Sequence, residues 1–97
     1  MCMKYYAVEY TYRSDADVAA TRPAHRKYLA SLRDQGKLLG GGPLIDAAAS
    51  ALLIFKASDE KDCEEMIGKD PMQTEGVMDY YSITEWNPVT RDFDVES

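Results

Sequence analysis

Ninety-seven residues make room for one compact domain and no second, so we read a single domain over residues 1–97. Hydrophobic residues make up 45% and charged residues 29%, the balance of a chain that folds rather than one that stays disordered. With 11 basic against 17 acidic side chains, the net charge of −6 repels phosphate backbones and anionic headgroups, which argues against nucleic acid and membrane partners.

Lys4 to Tyr12 reads KYYAVEYTY, with Tyr6, Val8, Tyr10 and Tyr12 on one side of a period-2 pattern, and predicts a first strand. Arg13 to Ala20 is ambiguous between loop and helix. From Thr21 the spacing is helical: His25, Tyr28, Leu29 and Leu32 fall at i, i+3, i+4 and i+7, and Gly36 supplies the stop. Lys37 to Leu39 is a short extended piece, after which Gly40-Gly41-Gly42-Pro43 is expected to end regular structure. Small residues from Asp46 to Ser50 lead to a strand at Ala51–Ala57, ALLIFKA, bulky on both faces. Ser58 is expected to cap a second helix over about Asp59 to Lys69, with Asp59, Glu60 and Asp62 early and Cys63, Met66 and Ile67 as its apolar stripe. Asp70-Pro71 opens a short turn of helix, Met78 to Trp86 is a last strand, and Asn87-Pro88 ends it before an acidic tail from about residue 88, expected to be loosely ordered.

Strand, helix, short strand, strand, helix, strand is the βαββαβ order of an α+β, ferredoxin-like domain, an antiparallel sheet with both helices on one face. The other face would be bare. Since Leu52 and Ile54 oppose Leu53 and Phe55, and Tyr5 and Ala7 oppose Tyr6 and Val8, neither face looks polar enough for water. A homodimer with sheets packed face to face is therefore expected.

Cys2 and Cys63 lie far apart and form no CxxC pair, so neither a zinc site nor a disulfide is expected. The start of the chain lacks the apolar run of a secretory signal and no stretch is long enough to span a bilayer, which makes the reducing cytoplasm the expected compartment. Glu64-Glu65 are adjacent on a helix and face different directions, a solvated face rather than metal ligands.

His25 is the one histidine, the side chain suited to moving protons near neutral pH. In the first turn of a helix starting near Thr21, the positive end of the backbone dipole would favour its neutral, basic form. It reads either as a general base or as a core-edge residue heading the apolar stripe. Asp34 lies nine residues on, about 180° round the helix and about 13 Å along it, and is excluded as a direct partner. Asp70, at the end of the second helix, can reach His25 if the two helices lie side by side; equally, Asp with Pro71 at N1 is a standard N-cap. Arg22, one turn before His25, reads as a clamp for a substrate carboxylate or as one half of a surface ion pair. The glycine run is followed by Pro43 and no Lys-Ser or Lys-Thr, so it reads as a tight turn rather than a phosphate loop. Most of the seven tyrosines should be core or interface residues, with one or two lining a pocket.

Arg22-Pro23-Ala24-His25, Tyr28-Leu29, Leu32, Gly36-Lys37-Leu38-Leu39, Gly42-Pro43, and Asp70-Pro71 with Gly76-Val77 together resemble the YciI-like (YCII-related) family up to about Trp86. The connection between Pro43 and Ala51 is shorter than in many members. The resemblance implies a dimeric α/β-barrel of ferredoxin-like subunits. It also implies a His-Asp pair at His25 and Asp70, beside Arg22, Gly42 and Pro43; one branch of the family is associated with dehydrochlorination. The resulting expectation is a small-molecule enzyme using no metal or organic cofactor, with His25 as acid or base, Asp70 orienting it, Arg22 holding a substrate carboxylate and Gly42-Pro43 shaping the pocket. Lyase, isomerase and hydrolase chemistry on a small anionic or cyclic substrate all fit. The rival is a noncatalytic dimeric ligand-binding or accessory module in which the same residues are structural.

Overall fold

The computed structural model describes residues 3–45 and 49–95. The expectations for Cys2, for Asp46, Ala47 and Ala48 of the connection, and for Glu96 and Ser97 of the tail therefore lie outside the described residues. In chain order the elements are β1 (Lys4–Tyr12), α1 (Val18–Asp34), β2 (Leu38–Pro43), β3 (Ser50–Ala57), α2 (Glu60–Gly68), α3 (Pro71–Thr74) and β4 (Met78–Trp86). The sheet runs β2-β3-β1-β4 with every neighbouring pair antiparallel. This is the ferredoxin-like arrangement, with both long connections crossing on the same face.

The period-2 pattern of β1 sends Tyr6, Val8, Tyr10 and Tyr12 to the helix side, where all four are buried. Phe55 and Leu53 of β3 stand directly opposite Tyr6 and Val8, and Cys63, Met66, Ile67 and Leu32 close the core from the helices. The Tyr28 hydroxyl donates to the Met66 carbonyl at 2.7 Å, tying α1 to the last turn of α2. Both α1 and α3 end in Schellman turns on a glycine: Gly36 at φ 76° and Gly76 at φ 71°, with Lys37 N–H donating to Leu32 and Val77 N–H to Met72.

The structure departs from the sequence reading in four places. First, α1 begins at Val18, not Thr21, because Asp17 accepts the Ala20 N–H at 3.1 Å and Val18-Ala19-Ala20 continue inward from that cap. Pro23 sits inside the helix and leaves the Ala19 carbonyl without its usual donor. His25 is thus the eighth helical residue, beyond the unpaired N–H groups of the first turn, and the dipole argument for its neutral form loses its basis.

Second, β2 runs straight through the glycines to Pro43, because β3 supplies a ladder partner for each: Gly40 faces Ile54, Gly41 Leu53, Gly42 Leu52 and Pro43 Ala51. As an edge strand it tolerates Pro, and the register shift between Leu38 and Gly40 makes Leu39 the extra residue of a bulge. Third, Asp59 rather than Ser58 caps α2: it accepts the Asp62 N–H at 2.8 Å, while the Asp62 carboxylate accepts from the Ser58 N–H and hydroxyl. Three donors are satisfied, two of them backbone N–H groups served reciprocally, much as in a capping box.

Fourth, the segment after β4 folds back over the far face of the sheet. Phe93 packs on Tyr5 and Trp86 with ring centroids 5.7 and 6.2 Å away, and Arg91 donates to the Pro88 and Phe93 carbonyls. Tyr5 is buried beneath it. The rest of that face is mixed, with Glu9 exposed, Leu52 38% exposed and Ile54 half-buried. Among the described residues no helix is long and apolar enough to cross a membrane.

Candidate functional site

A carboxylate buried without partners would be costly, so the donors around Asp70 explain why it can be fully buried. It N-caps α3, its Oδ1 accepting the Met72 N–H at 3.0 Å. The same carboxylate lies 2.7 and 2.9 Å from His25 Nδ1, and its Oδ2 accepts from the Tyr10 hydroxyl at 3.0 Å. The two sequence readings of Asp70 thus coexist: the cap and the histidine partner are one side chain. Burial first, then the Asp70 carboxylate, pushes the Tyr10 phenol far above its ordinary range, so Tyr10 remains a donor.

With Asp70 as acceptor, His25 Nδ1 carries a hydrogen and Nε2 is the free position. His25 is 7% exposed, and Nε2 has no hydrogen-bond partner among the described residues. His25 also lines a cavity. That cavity, of about 130 Å³, lies between α1 and the β2–β3 edge. An apolar cavity of about 150 Å³ suffices for a benzene ring.

Arg22 and Arg26, one helical turn apart, also line the cavity, and no acidic side chain does. Neither arginine makes a hydrogen bond or ion pair among the described residues. In a chain of net charge −6, two guanidiniums beside a carboxylate-free cavity create a local anion-attracting field. Tyr12 forms another wall; burial, then Asp70, pushes its phenol up to about 12, with Arg22 opposing. Among the described residues no group of three His, Cys, Asp or Glu side chains is placed to hold a metal ion.

The five residues that the sequence nominates for this region converge. His25, Arg22, Gly42 and Pro43 line one cavity, and Asp70 stands behind His25. Asp34 is exposed and pairs with Arg33 at 3.2 Å, away from His25. Sequence reasoning missed Tyr10 as the third member of the network and Arg26 as a second cation. The signal for Tyr10 was present: a Tyr on the core side of a central strand needs a partner for its hydroxyl.

The YCII-related domain model matches residues 1–87. No curated protein sequence matches this chain. Among solved structures, 5-chloro-2-hydroxyhydroquinone dehydrochlorinase from Burkholderia phenoliruptrix, in complex with 2,5-dihydroxybenzoquinone, is similar with a TM-score of 0.75 at 19% identity, over 86% of this chain and 93% of that one. A NIPSNAP-like domain protein from Burkholderia xenovorans has a TM-score of 0.60 at 12% identity, over 97% of this chain and 91% of that one. A dimeric protein of ferredoxin-like fold from Bacteroides fragilis has a TM-score of 0.55 at 10% identity, over 87% and 94%. At these identities the neighbours establish the fold. With a family model spanning nearly the whole chain and a ferredoxin-like sheet carrying the matching residues, this protein belongs to the YCII-related family.

Proposed function

We propose that this chain is a small-molecule enzyme in which His25 performs acid-base chemistry on a small anionic or cyclic substrate, of lyase, isomerase or hydrolase type. The observation that carries the reading is the use of the two imidazole nitrogens: Asp70 occupies Nδ1, Nε2 has no hydrogen-bond partner among the described residues, and His25 lines a ring-sized cavity together with Arg22 and Arg26. In this mechanism Nε2 takes a proton from the substrate, Asp70 stabilises the imidazolium that forms, and Tyr10 keeps Asp70 in place. Arg22 binds the substrate carboxylate or the oxyanion that develops on it, and Gly42-Pro43 shape the wall opposite the helix. The dehydrochlorinase neighbour acts on a hydroxylated ring by its name, which suits the cavity's size.

The proposed site belongs to a homodimer whose second copy covers Leu52 and Ile54 on the far face. Their exposure supports this, as does the dimeric neighbour of the same fold. The reducing cytoplasm is the proposed compartment, in keeping with the free, buried Cys63 thiol; recovery of the chain in the cytosolic fraction checks it.

A proton-transfer assay tests the chemistry before the substrate is known. Cyclic ketones, lactones and hydroxyquinones, 2,5-dihydroxybenzoquinone among them, are incubated in deuterated water and exchange of their acidic C–H protons is followed by NMR. The wild-type chain should accelerate exchange of at least one, and His25→Gln should slow it by about 10²- to 10⁴-fold. Binding of these compounds with no exchange would instead establish a noncatalytic ligand-binding module, and equal acceleration by His25→Gln would remove His25 from the chemistry.

A further inference from the structure

Burial and then the Asp70 charge push up the phenols of Tyr10, Tyr12 and Tyr28, which places these hydroxyls around one point. Two of them are engaged: Tyr10 donates to Asp70 Oδ2, and Tyr28 to the Met66 carbonyl. Tyr12 is only 8% exposed, yet its hydroxyl has no hydrogen-bond partner among the described residues. A polar group so far out of bulk water is costly without a partner, and of the three it is Tyr12 that lines the cavity shared with His25 and Arg22.

The fold fixes where Tyr12 stands. Its ring packs edge-on against Tyr10, with centroids 6.3 Å apart and planes at 73°. Its backbone N–H donates to the Ala49 carbonyl at 2.9 Å. At the same residue the register of β1 against β4 slips, Thr11 pairing with Tyr80 and Tyr12 with Met78, so that Asp79 is the extra residue of a bulge. Bulges of this kind re-aim side chains beside a site. Arg22, lining the same cavity, is near enough to oppose the rise in the Tyr12 phenol.

We propose that the Tyr12 hydroxyl is the donor to the substrate oxygen on which charge develops, leaving Arg22 for a carboxylate the substrate already carries. The inference rests on the acid-base reading of His25 and names the substrate class: an anionic carbonyl compound with an acidic C–H next to the carbonyl. His25 Nε2 takes that proton and the C–H electron pair becomes the C=C bond of an enolate. The carbonyl π pair moves onto the oxygen, to which Tyr12 donates a hydrogen bond while keeping its own proton. A phenol pushed up to about 12 stays protonated at neutral pH, as that task requires.

The probe for the donor is 4-nitrophenol, which ionises near neutral pH and whose anion absorbs visible light. The wild-type chain should bind the anion. Tyr12→Phe, which keeps the ring against Tyr10, should bind it about tenfold to a hundredfold more weakly, the range of a lost hydrogen bond to a charged group. The same-shaped 4-nitrotoluene, which has no oxyanion, should bind both proteins equally. In the deuterium-exchange assay, folded Tyr12→Phe should be slower by about 10²- to 10³-fold, with the pH midpoint set by His25 unchanged. Equal affinity of the two proteins for the anion, or undiminished exchange by Tyr12→Phe, would overturn the donor and leave the reading of His25 standing. Equal weakening of both probes would make Tyr12 a packing residue and overturn it too. No binding of the anion by the wild type would overturn the donor and the anionic site together.

Discussion

Asp70 serves three donors from three elements, so removing its carboxylate should cost more than its small side chain suggests. In Asp70→Ala the Met72 N–H loses its cap, worth about 1 kcal/mol, and the buried Tyr10 hydroxyl and His25 Nδ1–H each lose an acceptor at roughly 1–3 kcal/mol. Water entering the vacated space recovers part of this, giving a net loss of roughly 3–5 kcal/mol, or a fall in Tm on the order of 20 °C for a domain of this size. Asp70→Asn should behave differently. Asn caps as well as Asp, its carbonyl still accepts from His25 and Met72, and the Tyr10 hydroxyl can turn to accept from the new amide; about 1–2 kcal/mol is the expected loss. Tyr10→Phe, which leaves Asp70 its other two donors, should also cost about 1–2 kcal/mol. Urea unfolding followed by far-UV circular dichroism measures all three. If Asp70→Ala proves no more destabilising than Asp70→Asn, the carboxylate is not the shared buried acceptor described above. If Asp70→Asn keeps the fold but loses proton transfer by about 10²-fold or more, the pairing with His25 matters to chemistry beyond its structural worth.

The Cys63 thiol, buried and pushed up to about 12 by burial first and then by Asp62, Glu60 and Glu64, should resist iodoacetamide at pH 8 in the folded protein and react at once in urea; fast labelling of native protein would contradict its burial. Cys63 and Tyr12 are neutral acids held above their reference values of 9.0 and 10.0, so the unfolded chain loses these protons first and binds fewer than the native state. Their contribution to stability therefore falls as pH rises from about 9 to about 12, and Tyr12→Phe should flatten the alkaline limb of a stability–pH curve. Gly36→Ala, forced into a left-handed turn at φ 76°, should lose about 1–2 kcal/mol by urea titration, and an unchanged midpoint would argue against the Schellman ending of α1. Leu52→Glu, on the exposed part of the far face, should convert a dimer to a monomer in sedimentation velocity; an unaltered dimer would move the interface elsewhere.

Periodicity over nine residues was enough to place β1, because alternate side chains must go to opposite faces whatever packs on them. The same logic put His25, Tyr28, Leu29 and Leu32 on one stripe of α1 and turned Asp34 away from it, as found. Asp70 was legible as an N-cap before Pro71 or as a partner of His25, the family resemblance implied the pairing, and the fold brings it to His25 while keeping the cap. What local pattern could not reach were features whose energy comes from distant partners. Gly40 to Pro43 have no strand propensity of their own; they become β2 because β3 offers the hydrogen bonds. The tail after Trp86 reads as acidic and loosely ordered, yet Phe93 packs on Tyr5 and Trp86, contacts that no short-range pattern announces. Tyr10 and Asp70 stand 60 residues apart, and nothing in either neighbourhood announces that one hydroxyl will donate to the other. A buried carboxylate needs several donors at once, and it is the packing of β1, α1 and α3 around one point that supplies them.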